Sequence, residues 1–117
     1  HAAQGDGEVC GVATEIPTRG TFTFDLIKAN AIGTPRIESD EFIMAVGSAR
    51  PMEDAARIAF YELILWLEQD FGIDRMTGYQ LCSQVARVRL ANMVDILYSV
   101  VAKFPKKFLP RSRDKGR

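Results

Sequence analysis

The chain has 117 residues, 47% of them hydrophobic and 26% charged, the balance of a folded globular domain and not of a disordered chain. No apolar run approaches the roughly 20 residues that span a bilayer, no basic-then-apolar stretch has the form of a secretory leader, and two cysteines are too few for a disulfide framework. The expectation is a reduced, cytoplasmic setting without membrane contact. Net charge is zero, but seven basic residues from Lys103 to Arg117 against Asp114 give +6 beyond residue 102 and leave −6 before it. Only Phe104 and Phe108 interleave those charges, so the tail reads as a solvated end and no nucleic-acid partner is expected.

In chain order, residues 8–16 mix β-branched and small side chains and stop at Pro17, which predicts a strand. Phe22, Phe24 and Leu26 then alternate with Thr21, Thr23 and Asp25, the period of two that predicts a strand with one apolar face on a core. A short strand over residues 36–38 and another over 41–49 follow, so an antiparallel meander is expected. From Pro51 the period lengthens to 3.6. Ala55, Ala59, Leu63 and Trp66 form one line, flanked by Ala56, Phe60, Leu67 and Phe71, with Glu62 and the other charged residues mostly elsewhere.

This helix of about five turns has both ends marked. Pro51 suits the first helical position, Glu53 and Asp54 suit the positive end of the dipole, and Gly72 suits the residue after the last turn. Asp74 is placed to cap a second helix through about residue 85, which Gly78 weakens by about 1 kcal/mol relative to alanine. Residues 87–94 alternate again and predict a late strand, after which Pro105 and Pro110 are expected to prevent long regular structure. Strands segregated from helices define an α+β class, an antiparallel meander followed by two helices on one sheet face and a late strand. The expected division is an α+β unit over residues 1–102 and a basic tail over 103–117. Cys10, inside a strand-like stretch, reads as buried packing.

The opening HAAQGDGEVC carries the chemistry-bearing groups. His1 offers an imidazole, Gln4 an amide, and Asp6 and Glu8 two carboxylates, on a segment that Gly5 and Gly7 free to turn. A histidine and a carboxylate can hold a divalent ion that acidifies a bound water, and a second carboxylate can take that water's proton. The same string also suits a plain glycine turn in which Asp6 bonds its own backbone. The local sequence leaves both readings open.

His1-Ala-Ala-Gln-Gly-Asp-Gly-Glu-Val-Cys10 resembles the signature segment of the acetamidase/formamidase family. Thr34-Pro35-Arg36, the helix end Glu68-Gln69-Asp70-Phe71-Gly72-Ile73, Gly78-Tyr79-Gln80-Leu81-Cys82-Ser83 and Phe104-Pro105-Lys106 resemble the family's later landmarks in the same order. The resemblance implies hydrolysis of the C–N bond of small linear amides of the formamide and acetamide type. It also implies a β-rich α+β enzyme that forms homo-oligomers and is longer than this chain. His1 and Asp6 would then bind a divalent metal, zinc in the first instance, Glu8 would be the general base, and Gln4 would orient the substrate amide. A start in mid-motif at His1 reads as the C-terminal portion of such an enzyme, its N-terminal portion being the missing partner. The alternative is a non-catalytic oligomerisation or binding domain that keeps the family fold.

Overall fold

A computed structural model describes residues 2–110; His1 and residues 111–117 lie outside it. After Pro35 the chain enters β1 (Arg36–Glu38) and turns back into β2 (Phe42–Ala49). Ser39 closes that turn, its N–H donating to the Phe42 carbonyl at 2.9 Å and its hydroxyl accepting from the Phe42 N–H at 3.1 Å. Helix α1 (Met52–Phe71) and helix α2 (Arg75–Val85) follow, then the hairpin of β3 (Arg87–Asn92) and β4 (Tyr98–Pro105). The four strands form one antiparallel sheet in the order β1-β2-β4-β3. Two hairpins are thus joined through their long inner strands, with Ala45 opposite Ala102 at the centre.

The period of two along β2 and β4 turns Ile43, Ala45, Ala102 and Phe104 to one face, where they bury against Ala59, Leu63, Trp66 and Leu67 of α1 and Cys82 of α2. The stripe expected on α1 is therefore the core stripe. The helix lies unusually close to the sheet because both surfaces carry small residues. A Cβ built on Gly47 of β2 would collide with the Ala55 carbonyl oxygen and come within 2.7 Å of the Ala59 nitrogen.

Local signals set the helix ends. Pro51 is one position earlier than expected, an extended N-cap whose carbonyl accepts from the Asp54 N–H at 3.1 Å. Gly72 stops α1 in the left-handed conformation (φ 66°), and the N–H groups of Gly72 and Ile73 close onto the Glu68 and Leu67 carbonyls. Asp74 caps α2 as expected, its carboxylate accepting from the Met76 and Thr77 N–H groups at 3.2 and 3.1 Å. Hydrogen bonds from Thr77 hold this carboxyl below its ordinary range, so the cap is present at neutral pH and lost as pH falls through the lowered value. Gly78 lies against Ile64 and Leu67 of α1, where a small residue lets the helices approach.

Several expectations are corrected. Residues 8–16 form no strand; their pairing is an isolated antiparallel bridge between Ala3 and Thr14. Residues 21–26 form none either, and Phe22, Phe24 and Leu26 are 76%, 89% and 75% exposed. Alternation prepares a strand, but a strand exists only where its N–H and C=O groups find an edge, and this segment finds none among the described residues. Conversely, Tyr98–Pro105 is a central strand that runs across the 102/103 boundary expected from charge. Pro105 is its last residue, where a missing N–H costs the ladder nothing. Glu62 is buried, ion-paired with Arg36 at 2.7 Å on the helix-covered side of the sheet.

Cys10, expected as buried packing, is exposed, and Cys82 on α2 is buried. Burial pushes the Cys82 thiol up to about 11. At pH 8 the folded protein should therefore titrate one thiol with a disulfide reagent, and the second should react only after denaturation. Two fast thiols in the native protein would contradict the packing of Cys82. Because the unfolded thiol ionises at lower pH than the native one, stability should also decline as pH rises from about 9 towards 11.

Candidate functional site

The opening loop is folded onto the outer edge of β3. Gly7 is the pivot: it is buried, its N–H donates to the Leu90 carbonyl at 2.7 Å, and its carbonyl accepts from the Met93 N–H at 2.8 Å. Its φ of 89° is what requires glycine, since the space around a Cβ there is ordinary. Glu8 is itself left-handed at φ 40°. A short ribbon of Ala2 N–H to Thr14 O (2.7 Å) and Thr14 N–H to Ala3 O (2.9 Å) ties the loop's two limbs.

With the backbone pinned, each polar side chain meets β3 or the residues after it. The Gln4 amide donates to the Ala91 carbonyl at 3.2 Å. Asp6 accepts from Arg89 through Nε at 3.1 Å and Nη2 at 2.8 Å, a forked pair on an exposed surface. The carboxylate raises the Arg89 pKa above its ordinary value, first by hydrogen bonding and then by charge. Glu8 Oε2 accepts from Asn92 Nδ2 at 2.6 Å, and Asn92 is fixed in turn by donating to Asp95 at 2.7 Å and accepting from the Asp95 N–H at 3.2 Å.

The structure thus brings Gln4, Asp6 and Glu8 together along one strand edge; His1 lies outside the described residues. The two carboxylates have different partners. Asp6 is paired with a guanidinium. Glu8 is half-buried and held by the neutral amide of Asn92. Among the described residues, no three His, Cys, Asp or Glu side chains converge as a metal-binding group. Arg89, Asn92 and Asp95 are the members of this cluster that reading the sequence did not single out. The alternation of Arg89 along a strand was visible, but its partner is 83 residues away.

An antiparallel sheet backed on one face by two helices, with a carboxylate-bearing loop laid on its edge strand, is a unit of the α+β class. Comparison with solved structures gives its relatives. The chain superposes on the acetamidase of Yersinia enterocolitica with a TM-score of 0.84 and 47% identity, over 95% of this chain and 34% of that one. It also superposes on an acetamidase of Bacillus halodurans (TM-score 0.60, 17% identity, 66% of this chain and 26% of that one). A third match is a protein described as a predicted acetamidase/formamidase of Thermoanaerobacter tengcongensis (TM-score 0.63, 18% identity, 69% and 27%). The last two, at such low identity, share the fold alone. No protein-family model and no curated protein matches. The chain belongs to the acetamidase/formamidase family, and it spans between about a quarter and a third of the length of the relatives it matches. No helix among its described residues is long and apolar enough to cross a membrane.

Proposed function

We propose that this chain forms one wall of an amide hydrolase site that converts small linear amides of the formamide and acetamide type to a carboxylate and ammonia. The observation that supports this most is the 47% identity to an acetamidase over 95% of the chain, joined to a loop whose Glu8 is oriented by Asn92. In this reading Glu8 takes a proton from the attacking water and returns it to the departing nitrogen as the C–N bond breaks, so that amide and water give carboxylic acid and ammonia, which part as carboxylate and ammonium near neutral pH. Gln4, anchored on the Ala91 carbonyl, orients the substrate amide. The forked Asp6–Arg89 pair keeps the loop in register on β3.

The reading includes a cytoplasmic homo-oligomer completed by the portion of the family enzyme that this chain does not match. It also includes a divalent metal, zinc in the first instance, for which His1 and Asp6 are the ligands this chain would bring. The described residues do not fit such an ion as they stand, because both Asp6 oxygens are engaged by Arg89 and no third ligand joins them. No step of the reaction is therefore routed through a metal. That engagement of Asp6 favours a second reading, a non-catalytic domain that keeps the family fold.

The test is ammonia release from formamide and acetamide by the chain assembled with the unmatched portion. Glu8→Gln should lower kcat by about 10²–10⁴-fold, since glutamine still accepts from Asn92 but cannot take the proton. Turnover within a few-fold of the parent would remove Glu8 as the base. Absence of ammonia from the assembled parent would favour the non-catalytic domain. Metal analysis of His1→Ala in the same assembly checks the ligand assignment: undiminished metal removes His1.

A further inference from the structure

The segment from Ile16 to Ile32 has the composition of a buried strand and the exposure of a loop. Ile16, Phe22, Phe24, Leu26, Ile27 and Ile32 are all exposed, six large apolar side chains left to water within one short segment. Its two ends are anchored. Thr14 is bonded to Ala2 and Ala3, and at the far end the Pro35 carbonyl accepts from the Val46 N–H at 3.0 Å while Gly33 lies against Glu62. Between them the backbone has no ladder, and the Leu26 N–H turns to the neighbouring Asp25 carboxylate at 2.7 Å.

Residues 36–110 make up under two thirds of the chain, yet the superposition on the 47%-identical acetamidase covers 95% of it. The matched region therefore includes most of the exposed segment, within a chain about three times as long. Its alternation of Phe22, Phe24 and Leu26 with Thr21, Thr23 and Asp25 is suited to a sheet edge, where backbone groups supply the pairing and alternate side chains enter one apolar face.

We propose that residues 21–27 dock as an added β-strand on a free sheet edge within the portion of the acetamidase fold that this chain does not match, with Phe22, Phe24 and Leu26 on its apolar face. This deepens the reading of the chain as one wall of a larger enzyme and rests on it. Phe24, at 89% exposure, contributes nothing to the chain's own core, so a charge there tests docking without disturbing the fold.

The experiment co-expresses the chain with the unmatched two thirds of the 47%-identical relative as a separate tagged polypeptide. Recovery of the complex, with amide exchange over residues 21–27 slowed about tenfold or more relative to the isolated chain, is expected. Phe24→Asp should weaken the assembly by about tenfold or more while leaving the Tm of the isolated chain unchanged. Equal recovery with the parent and Phe24→Asp, no recovery with either, or exchange over 21–27 as fast as in the isolated chain would overturn the proposal. Protection of the same amides in a dimer of the chain alone would assign the docking to a second copy and overturn it as well. Ammonia release is read separately: a protected but inactive assembly supports docking and counts against the hydrolase reading, whereas an active assembly with an unprotected segment does the reverse.

Discussion

Gly47→Val should abolish the cooperative thermal transition of this chain or lower its Tm by tens of degrees. The Cβ of any residue at position 47 points at the backbone of α1, against the Ala55 carbonyl oxygen and the Ala59 nitrogen. Overpacking a core costs typically about 1–3 kcal/mol where side chains can shift. Here the obstructing atoms are main chain within a helix, so accommodation requires α1 to move off the sheet. That displacement would open contacts of Ala59 and Leu63 with Ile43 and Ala45, the centre of the core. A domain of this size has roughly 5–15 kcal/mol of total stability, and a loss above about 3 kcal/mol is a large part of it. Gly47→Ala should be milder in the same direction. Far-UV circular dichroism on heating and in urea checks both, and a Tm within a few degrees of the parent for Gly47→Val would mean that the close approach is not required.

Glu62→Ala should cost about 3–5 kcal/mol, measured as the change in unfolding free energy in urea. Arg36 and Glu62 have side chains only 9% and 4% exposed, and both Nε and Nη2 of Arg36 lie 2.7 Å from Glu62 Oε1. Removing the carboxylate leaves a guanidinium without its counter-charge in a poorly hydrated place. Two contacts moderate the loss: Arg36 also donates to Gln69 at 2.9 Å, and its guanidinium carbon lies 5.2 Å from the centre of the Trp66 ring. The double variant Arg36→Met with Glu62→Leu should recover most of the stability, because no charge then remains buried. If the single variant costs less than about 1 kcal/mol, water reaches the pair and it behaves as a surface bridge.

The two predictions concern the same feature, the packing of α1 on the sheet, and they mark where sequence reasoning succeeds and where it stops. The length of α1 was legible because its determinants are local: a stripe of period 3.6, a proline at the entry and a left-handed Gly72 at the exit. Asp74 was legible as a cap for the same reason, since its carboxylate meets its N–H donors within three residues. The burial of Glu62 was not legible. A carboxylate on a helix is ordinarily solvated, and only the arrival of Arg36 from β1, 26 residues earlier, makes burial tolerable.

The site divides in the same way. The sequence by itself determined that His1, Gln4, Asp6 and Glu8 share one glycine-broken segment, that the helices begin and end where they do, and that the chain is α+β. Tertiary structure alone decided that Gly7 takes the Leu90 edge of β3, which hands Asp6 to Arg89 and Glu8 to Asn92 across 83 and 84 residues. It also decided that β4, with its terminal proline, is a central strand, while the cleanest alternation in the chain, Thr21 to Leu26, stays unpaired. The physical reason is common to all three. Periodicity states which face a segment would bury, but a strand is completed only by an edge elsewhere in the molecule, and the sequence does not say which edges are free.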